Sequence, residues 1–144
     1  MKRAWSLWFV ALGAIAMFGQ GDVPAHHTAP PATGATLPPI LPAPERWGPS
    51  FKHPVQVRAY EVAEKIPNVL YQQPCYCHCD RSVGHHSLRS CYESTHAAHC
   101  DARMKELFYS YQQTKAGKTP AQIRAAILKG EWQKIDLNQA ALME

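Results

Sequence analysis

The sequence predicts a mainly α-helical fold, a small helical domain in which an irregular loop rich in cysteine and histidine is clamped between helices. In the second half of the chain, apolar residues recur at helical spacing, and prolines and glycines stand where helices begin and end. No long run alternates apolar and polar residues as a half-buried strand does. With 144 residues, the chain has room for one such domain and its appendages.

The first 21 residues are predicted to be a signal peptide or an uncleaved N-terminal anchor. Lys2 and Arg3 precede an apolar run of roughly 15 residues, which is shorter than the ~20 that span a bilayer. No clean A-x-A motif marks a cleavage site, and no cysteine follows the run to carry a lipid. The rest of the chain is therefore expected outside the cytoplasm, periplasmic or secreted, with a membrane tether if the segment stays uncleaved.

Residues 22–50 are predicted to be a proline-rich disordered linker. They contain eight of the twelve prolines and show almost no helical or strand periodicity. A segment of this composition does not bury enough apolar surface to fold and is typical of a semi-rigid spacer. His26 and His27 are therefore expected to be solvated.

The folded domain is predicted to span residues 51–144, as a cysteine-rich helical unit. Its first helix begins at Pro54, has an amphipathic pattern and ends at Pro67. The following residues, 68–73, are expected to be extended or irregular. This stretch leads directly into the cysteines.

Three further helices are predicted downstream. Ser87 caps a short helix that contains Cys91. A long helix runs from residue 97 to a stop at Gly117. A last helix begins after Thr119 and ends at the glycine at position 130.

All five cysteines lie between residues 75 and 100, together with five of the eight histidines. Thiolate and imidazole groups are the ligands that zinc and Cu(I) favour. In an extended chain, alternate side chains stand ~6–7 Å apart, further than the ~4 Å between thiolates on one metal. The run "PCYCHC" must therefore curl to chelate. The candidate metal ligands are Cys75, Cys77, Cys79, Cys91, Cys100, His78, His96 and His99.

Disulfides are the main alternative to a metal site. Two disulfides and one leftover thiol would suit five cysteines in an exported chain. Because a bridge between cysteines two apart is strained, the C-x-C-x-C trio would then pair with Cys91 and Cys100. Other groups in the region are expected to be ordinary, with His85 and His86 solvated in a loop and Met104 in the core.

The stretch "PCYCHCDRSVGHHSLRSCYESTHAAHCDARMKE" resembles the signature of bacterial exported proteins of unknown function named for a PCYCGC motif. These overlap a group called CYCXC that includes selenoproteins. The resemblance covers roughly residues 55–130 and carries the motif cysteines onto Cys75, Cys77, Cys79, Cys91 and Cys100. It implies no established activity, although the selenoprotein relatives favour redox chemistry.

Two positions depart from the family pattern. His78 stands where the motif has glycine or another residue, and Arg103 replaces a sixth cysteine in the pattern H-C-x-x-C-M-K-E. The missing thiol excludes a redox dyad between Cys100 and residue 103, whereas a metal site can recruit a histidine instead. The charge of Arg103 is expected to favour the thiolate of Cys100.

The pattern therefore favours a metal-binding protein for storage, delivery or structural stapling, with Cu(I) or zinc as the ion. A thiol–disulfide or peroxide redox protein that uses the C-x-C-x-C thiols is the alternative, and an enzyme is the less favoured class. A thiol-redox or metal-delivery protein is the expected partner. Nucleic acid is not expected, because the net charge is only +4 and no basic run of five or six residues occurs.

Overall fold

The computed structural model describes residues 22–143, so the predicted signal peptide or anchor at residues 1–21 lies outside the described residues. Within residues 22–143 the chain forms six α-helices and no strand, which confirms the mainly helical fold. They are α1 (Pro54–Lys65), α2 (Pro67–Tyr71), α3 (Cys79–Ser82), α4 (Asp101–Lys115), α5 (Pro120–Leu128) and α6 (Leu137–Ala140). The described residues also form four 3₁₀ turns, one before α1 at Ala43–Glu45 and three between later helices at Leu88–Tyr92, Thr95–His99 and Glu131–Lys134. None of these helices is long and apolar enough to cross a membrane.

Helix α4 forms the centre of the fold, with α1 and α5 packed against it. Leu107 and Phe108 on α4 are fully buried, as is Tyr60 on α1. Ile123 and Ile127 of α5 complete this part of the core. Met104 is buried in the same core, so the structure agrees with its assignment as a packing residue.

The helix ends follow local capping chemistry. Pro54 is the first residue of α1, and the Gln56 side chain accepts from the His53 N–H at 2.8 Å. Helix α5 begins with a capping box. The hydroxyl of Thr119 accepts a hydrogen bond from the backbone N–H of Gln122, and the side-chain oxygen of Gln122 accepts one from the backbone N–H of Thr119. These starts match the prolines in the sequence.

Three elements differ from the sequence-based prediction. The short helix that Ser87 was expected to cap is the 3₁₀ turn Leu88–Tyr92, and the Ser87 side chain makes no capping hydrogen bond. Residues 67–71 form the short helix α2, because Pro67 is preorganised for a first helical position and Leu70 is fully buried. The long helix begins at Asp101 instead of residue 97. The hydroxyl of Ser94 accepts from the His96 N–H and starts a separate 3₁₀ turn, and the extended backbone of Cys100 interrupts the helical path.

Residues 22–50 also differ from the predicted disordered linker, because they pack along the helical domain. Ile40 and Leu41 are buried, and the Leu41 N–H donates to the carbonyl oxygen of Tyr92 at 2.8 Å. The side chain of Arg46 is 2% exposed, donates to the Leu41 carbonyl at 2.7 Å and pairs with Glu64. Regular structure in this segment is limited to one 3₁₀ turn, but the side chains supply the contacts that composition alone did not indicate.

The beginning of the segment contacts the cysteine-bearing region. The imidazole of His27 stacks on the ring of Tyr71, with centroids 3.8 Å apart. The N–H of Ala25 donates to the carboxylate of Asp80 on α3 at 3.1 Å. Prolines lose little conformational entropy on ordering, so a few such contacts suffice to hold an irregular segment in place.

We expect Leu41→Ala to lower the free energy of unfolding by about 2–4 kcal/mol, the usual effect of emptying a buried leucine site. Chemical denaturation of the chain from residue 22 onward measures this change. Trp47→Ala in the same segment is the matched control, because Trp47 is 76% exposed and a surface substitution changes stability by only about 0.5 kcal/mol. A disordered linker would make both substitutions neutral.

Candidate metal centre

The C-x-C-x-C run curls into a turn that brings its first and last cysteines together. The His78 N–H donates to the carbonyl oxygen of Cys75 at 3.0 Å, and α3 begins at Cys79. His78 takes a left-handed conformation with φ 51°, the only non-glycine residue with a positive φ in the described part of the chain. The Sγ atoms of Cys75 and Cys79 lie 3.6 Å apart as a result.

Cys91 joins these two sulfurs from the 3₁₀ turn Leu88–Tyr92. The Leu88 N–H donates to the carbonyl oxygen of Gln73 at 2.9 Å, which fastens this turn beside the curled loop. The ligand atoms of Cys75, Cys79 and Cys91 all lie within 4.8 Å of one another. All three residues are buried, with Cys79 and Cys91 at 0% exposure, so this sulfur trio forms inside the domain.

Two histidines lie beside the trio. The ligand atoms of Cys79, His85 and His96 fall within 4.8 Å of one another, and Nδ1 of His85 is 3.3 Å from the Sγ of Cys91. Nε2 of His96 is buried without a hydrogen-bond partner. Burial lowers the pKa of both imidazoles, and the charge of Arg103 lowers each pKa further. Both rings are therefore neutral at neutral pH and offer a lone pair to a metal ion.

Arg103 brings a buried positive charge to the sulfurs. Its Nη2 donates to the Sγ of Cys79 at 3.1 Å, and its Nη1 donates to the carbonyl oxygen of His96 at 2.6 Å. Burial lowers the pKa of Arg103, but the hydrogen bond to Cys79 and the nearby thiols raise it overall. The guanidinium thus stays charged and compensates negative charge on thiolates.

The sequence predicted that the charge of Arg103 would favour the thiolate of Cys100, and the structure does not agree. The guanidinium binds Cys79 instead. The pKa of Cys100 is raised overall, first by its hydrogen bond with Cys77 and then by burial, although Arg103 lowers it in part.

Cys77 and Cys100 form a separate pair. Their Sγ atoms lie 2.6 Å apart, and both residues are half-buried. The hydrogen bond with Cys100 lowers the pKa of Cys77, but the hydrogen bond with Cys75 and burial outweigh it and raise this pKa to about 12. Neither cysteine belongs to the groups whose ligand atoms converge on one point.

Two other predicted ligands also lie outside the converging groups. Nε2 of His99 is 3.1 Å from the hydroxyl oxygen of Ser50, and the residue is exposed. His78 contributes the left-handed turn, and its imidazole lies beside the ring of Tyr76 with centroids 6.2 Å apart. Of the eight predicted ligands, the structure brings together Cys75, Cys79, Cys91 and His96.

His85 is the ligand candidate that sequence reasoning left in a solvated loop. It lies six residues before Cys91 and six after Cys79. Gly84 has a φ of 71°, so the chain turns back here, and the His85 N–H donates to the carbonyl oxygen of Cys79 at 3.3 Å. The equal spacing to the two cysteines and the preceding glycine are the features that could have indicated it.

A buried carboxyl group closes the other side of the curled loop. Glu106 on α4 is fully buried, and its Oε1 accepts from the Tyr76 N–H at 2.8 Å. Burial raises the pKa of Glu106 to about 8, although the hydrogen bond from Tyr76 lowers it in part. The carboxyl is therefore mostly protonated at neutral pH.

One family comparison covers this region. A family model described as a protein of unknown function with a PCYCGC motif matches residues 49–133, which include all five cysteines. Comparison with curated proteins and with solved structures gave no significant match. In the motif P-C-Y-C-G-C, glycine corresponds to His78, the residue that adopts the left-handed conformation here.

We expect His78→Gly to raise the free energy of unfolding by about 0.5–1 kcal/mol. Glycine avoids the ~1–2 kcal/mol that a left-handed conformation costs other residues, less its own entropy cost of ~0.5–1 kcal/mol. Thermal or chemical unfolding measures the change. His78→Val should destabilise the protein instead, and a glycine variant that is clearly less stable would mean that the imidazole contributes more than its backbone costs.

Glu106→Gln tests the buried carboxyl. The folded-state pKa of about 8 lies above the ordinary 4.5, so the stability from the protonated form is fully present below pH 4.5 and is lost as pH rises through 8. Relative to wild type, metal-free Glu106→Gln should gain stability between these pH values and then level off. Unfolding titrations across this range measure it, with exposed Glu45→Gln as the control; parallel curves for Glu106→Gln and wild type would contradict the assignment.

Proposed function

The chain belongs to the family of proteins with a PCYCGC motif, whose function is unknown, and we propose that this member is an exported protein that binds one zinc ion. The proposed ligands are Cys75, Cys79, Cys91 and His85. The observation that carries the proposal is the buried trio of sulfurs with a neutral imidazole against it. Cysteine and histidine in a closed set of four are the usual composition of a structural zinc site.

Two distances among the proposed ligands suit one tetrahedral ion. Zinc holds thiolates at ~2.3 Å and imidazoles at ~2.0–2.1 Å, so neighbouring sulfurs in a tetrahedron stand roughly 3.8 Å apart. The 3.6 Å between the sulfurs of Cys75 and Cys79 is close to this value. The 3.3 Å from His85 Nδ1 to the Cys91 sulfur needs only a small adjustment. His96 stands next to these ligands as a substitute for His85.

Charge balance favours zinc over Cu(I). Three thiolates carry three negative charges, and a divalent ion with the guanidinium of Arg103 supplies three positive charges. The buried cluster is then neutral, whereas Cu(I) with the same ligands leaves one uncompensated negative charge. An uncompensated buried charge is costly, so the divalent ion suits this interior better.

Burial of the trio supports stapling and storage more than catalysis. A catalytic zinc site keeps an open coordination position, whereas Cys79 and Cys91 have no exposed surface. An ion held here would tie α3 to the turn Leu88–Tyr92 and the loop before it. Small domains with limited cores depend on such additional links. A metal-delivery protein that hands over zinc is the partner this role requires.

The proposed location is extracytoplasmic. The two N-terminal positive charges and the apolar run after them support export, with cleavage or a membrane tether as the two outcomes. A zinc site suits this location, because zinc is not redox-active and keeps its thiolates bound in an oxidising compartment.

We expect the purified chain to bind one zinc ion, and Co²⁺ in its place to give the visible absorption of a tetrahedral thiolate site. Cys91→Ser should abolish this spectrum, because it removes a buried ligand at the centre of the cluster. His85→Ala should weaken binding by at least roughly 10–100-fold, which is the usual effect of removing even an outer-shell partner of a ligand. Elemental analysis and competition with a chromogenic chelator measure stoichiometry and affinity.

His86→Ala is the matched control, because His86 is adjacent in sequence but exposed. It should bind zinc as wild type does, and so should Cys77→Ser. Equal losses for the variants of His85 and His86 would place the imidazole ligand elsewhere. A chain that purifies without metal and does not take up zinc or cobalt under reducing conditions would contradict the proposal.

A further inference from the structure

The five cysteines divide into three buried sulfurs and one half-buried pair. The trio belongs to the candidate metal centre, and the pair consists of Cys77 on the curled loop and Cys100 immediately before α4. We propose that Cys77 and Cys100 form a reversible disulfide that exchanges with disulfides of other exported molecules and, when formed, retains the metal. This division also accounts for the odd number of cysteines.

The distance between the sulfurs of Cys77 and Cys100 distinguishes this pair from the proposed metal ligands. Two thiolates on one zinc ion stand roughly 3.8 Å apart, and a disulfide bond is ~2.05 Å long. The sulfurs of Cys77 and Cys100 lie 2.6 Å apart, too close for shared metal ligation and within reach of a covalent bond. The two sulfurs need to approach by only about 0.6 Å to reach the ~2.05 Å of a disulfide.

Accessibility separates the pair in the same way. Cys77 and Cys100 are each partly exposed, whereas all three members of the trio are buried. A small disulfide can reach the pair from solvent without opening the core. Access therefore favours exchange at these two thiols over the buried trio, and their raised pKa values make the attack slow at neutral pH and faster as the pH rises.

The exchange is balanced with one external disulfide, R–S–S–R, as the oxidant. One thiol of the pair loses its proton to solvent and attacks R–S–S–R, which forms a mixed disulfide and releases the first R–S⁻. The second thiol loses its proton and attacks the protein sulfur of the mixed disulfide, which releases the second R–S⁻. The products are Cys77–S–S–Cys100 and two R–SH, so two electrons pass to the external disulfide.

The link to metal retention rests on the proposed function. The bond would close a loop that contains Cys79, His85 and Cys91, three of the four proposed ligands, and would fix this loop against α4. Formation of the bond also holds the sulfur of Cys77 at Cys100 and leaves the sulfur of Cys75 with those of Cys79 and Cys91. We therefore expect slower metal release from the oxidised protein.

The first experiment equilibrates the full chain in glutathione buffers of graded potential, traps the thiols by alkylation and maps disulfides by peptide mass spectrometry. A peptide linked through Cys77 and Cys100 should appear as the buffer becomes more oxidising. For a two-electron couple, the ratio of oxidised to reduced protein should change tenfold for every ~29.6 mV of buffer potential. The Cys77→Ser and Cys100→Ser variants should each lack it. Absence of this linkage in fully oxidised glutathione, or preferential linkage of Cys75, Cys79 or Cys91, would overturn the pair.

The second experiment measures zinc transfer to a chromogenic chelator from oxidised and reduced protein. Release should be roughly tenfold slower from the oxidised form, because we expect a coupling of typical size, roughly 5–150-fold in affinity, to act mainly on dissociation. Cys77→Ser should show the fast rate under both conditions. Equal rates would overturn the retention role. If the disulfide forms but no zinc is bound, the proposed function fails and the redox pair stands. If zinc is bound but the disulfide does not form, the proposed function stands and the redox pair fails.

Discussion

The guanidinium of Arg103 links the segments that surround the candidate metal centre. From its position in the first turn of α4, it donates to the sulfur of Cys79 at the start of α3 and to the carbonyl oxygen of His96 in the preceding turn. Three separate segments are therefore held by one side chain that is 8% exposed. Its positive charge also offsets negative charge on neighbouring thiolates, because an interior of low polarity tolerates little net charge.

The core around this interaction is small and combines helix residues with residues of the segment 22–50. Helix α4 supplies five of the 24 buried hydrophobic residues in the described part of the chain, more than any other helix, and the segment 22–50 adds Ile40 and Leu41 from outside the helices. A domain of this size has a limited core, so contacts from an irregular segment carry unusual weight. The same segment contacts Tyr71 and α3, which places it next to the candidate metal centre. Docking of this segment and the order of the cysteine loop are thus linked.

The candidate site was partly predictable. The density of cysteine and histidine indicated thiolate and imidazole chemistry, and the geometry of an extended chain required the run from Cys75 to Cys79 to curl. Which sulfurs meet was not predictable, because alternate cysteines point in different directions once the chain curls. The left-handed turn at His78 sends Cys77 to Cys100 and leaves Cys75 with Cys79. The position of His85 was missed for a related reason, since a loop histidine comes close to the cysteines only where the loop folds back.

The amino-acid sequence alone established the helical class, the proline and glycine positions that begin and end α1 and α5, and the chemistry of the cysteine-rich stretch. These features depend on local backbone preferences and on the reactivity of single side chains, both of which can be read along the chain. Tertiary structure decided the rest: the docking of residues 22–50, the late start of α4, the partner of Arg103 and the division of five cysteines into three and two. Each of these depends on contacts between residues far apart in sequence, whose energies exceed local propensity and leave no periodic pattern.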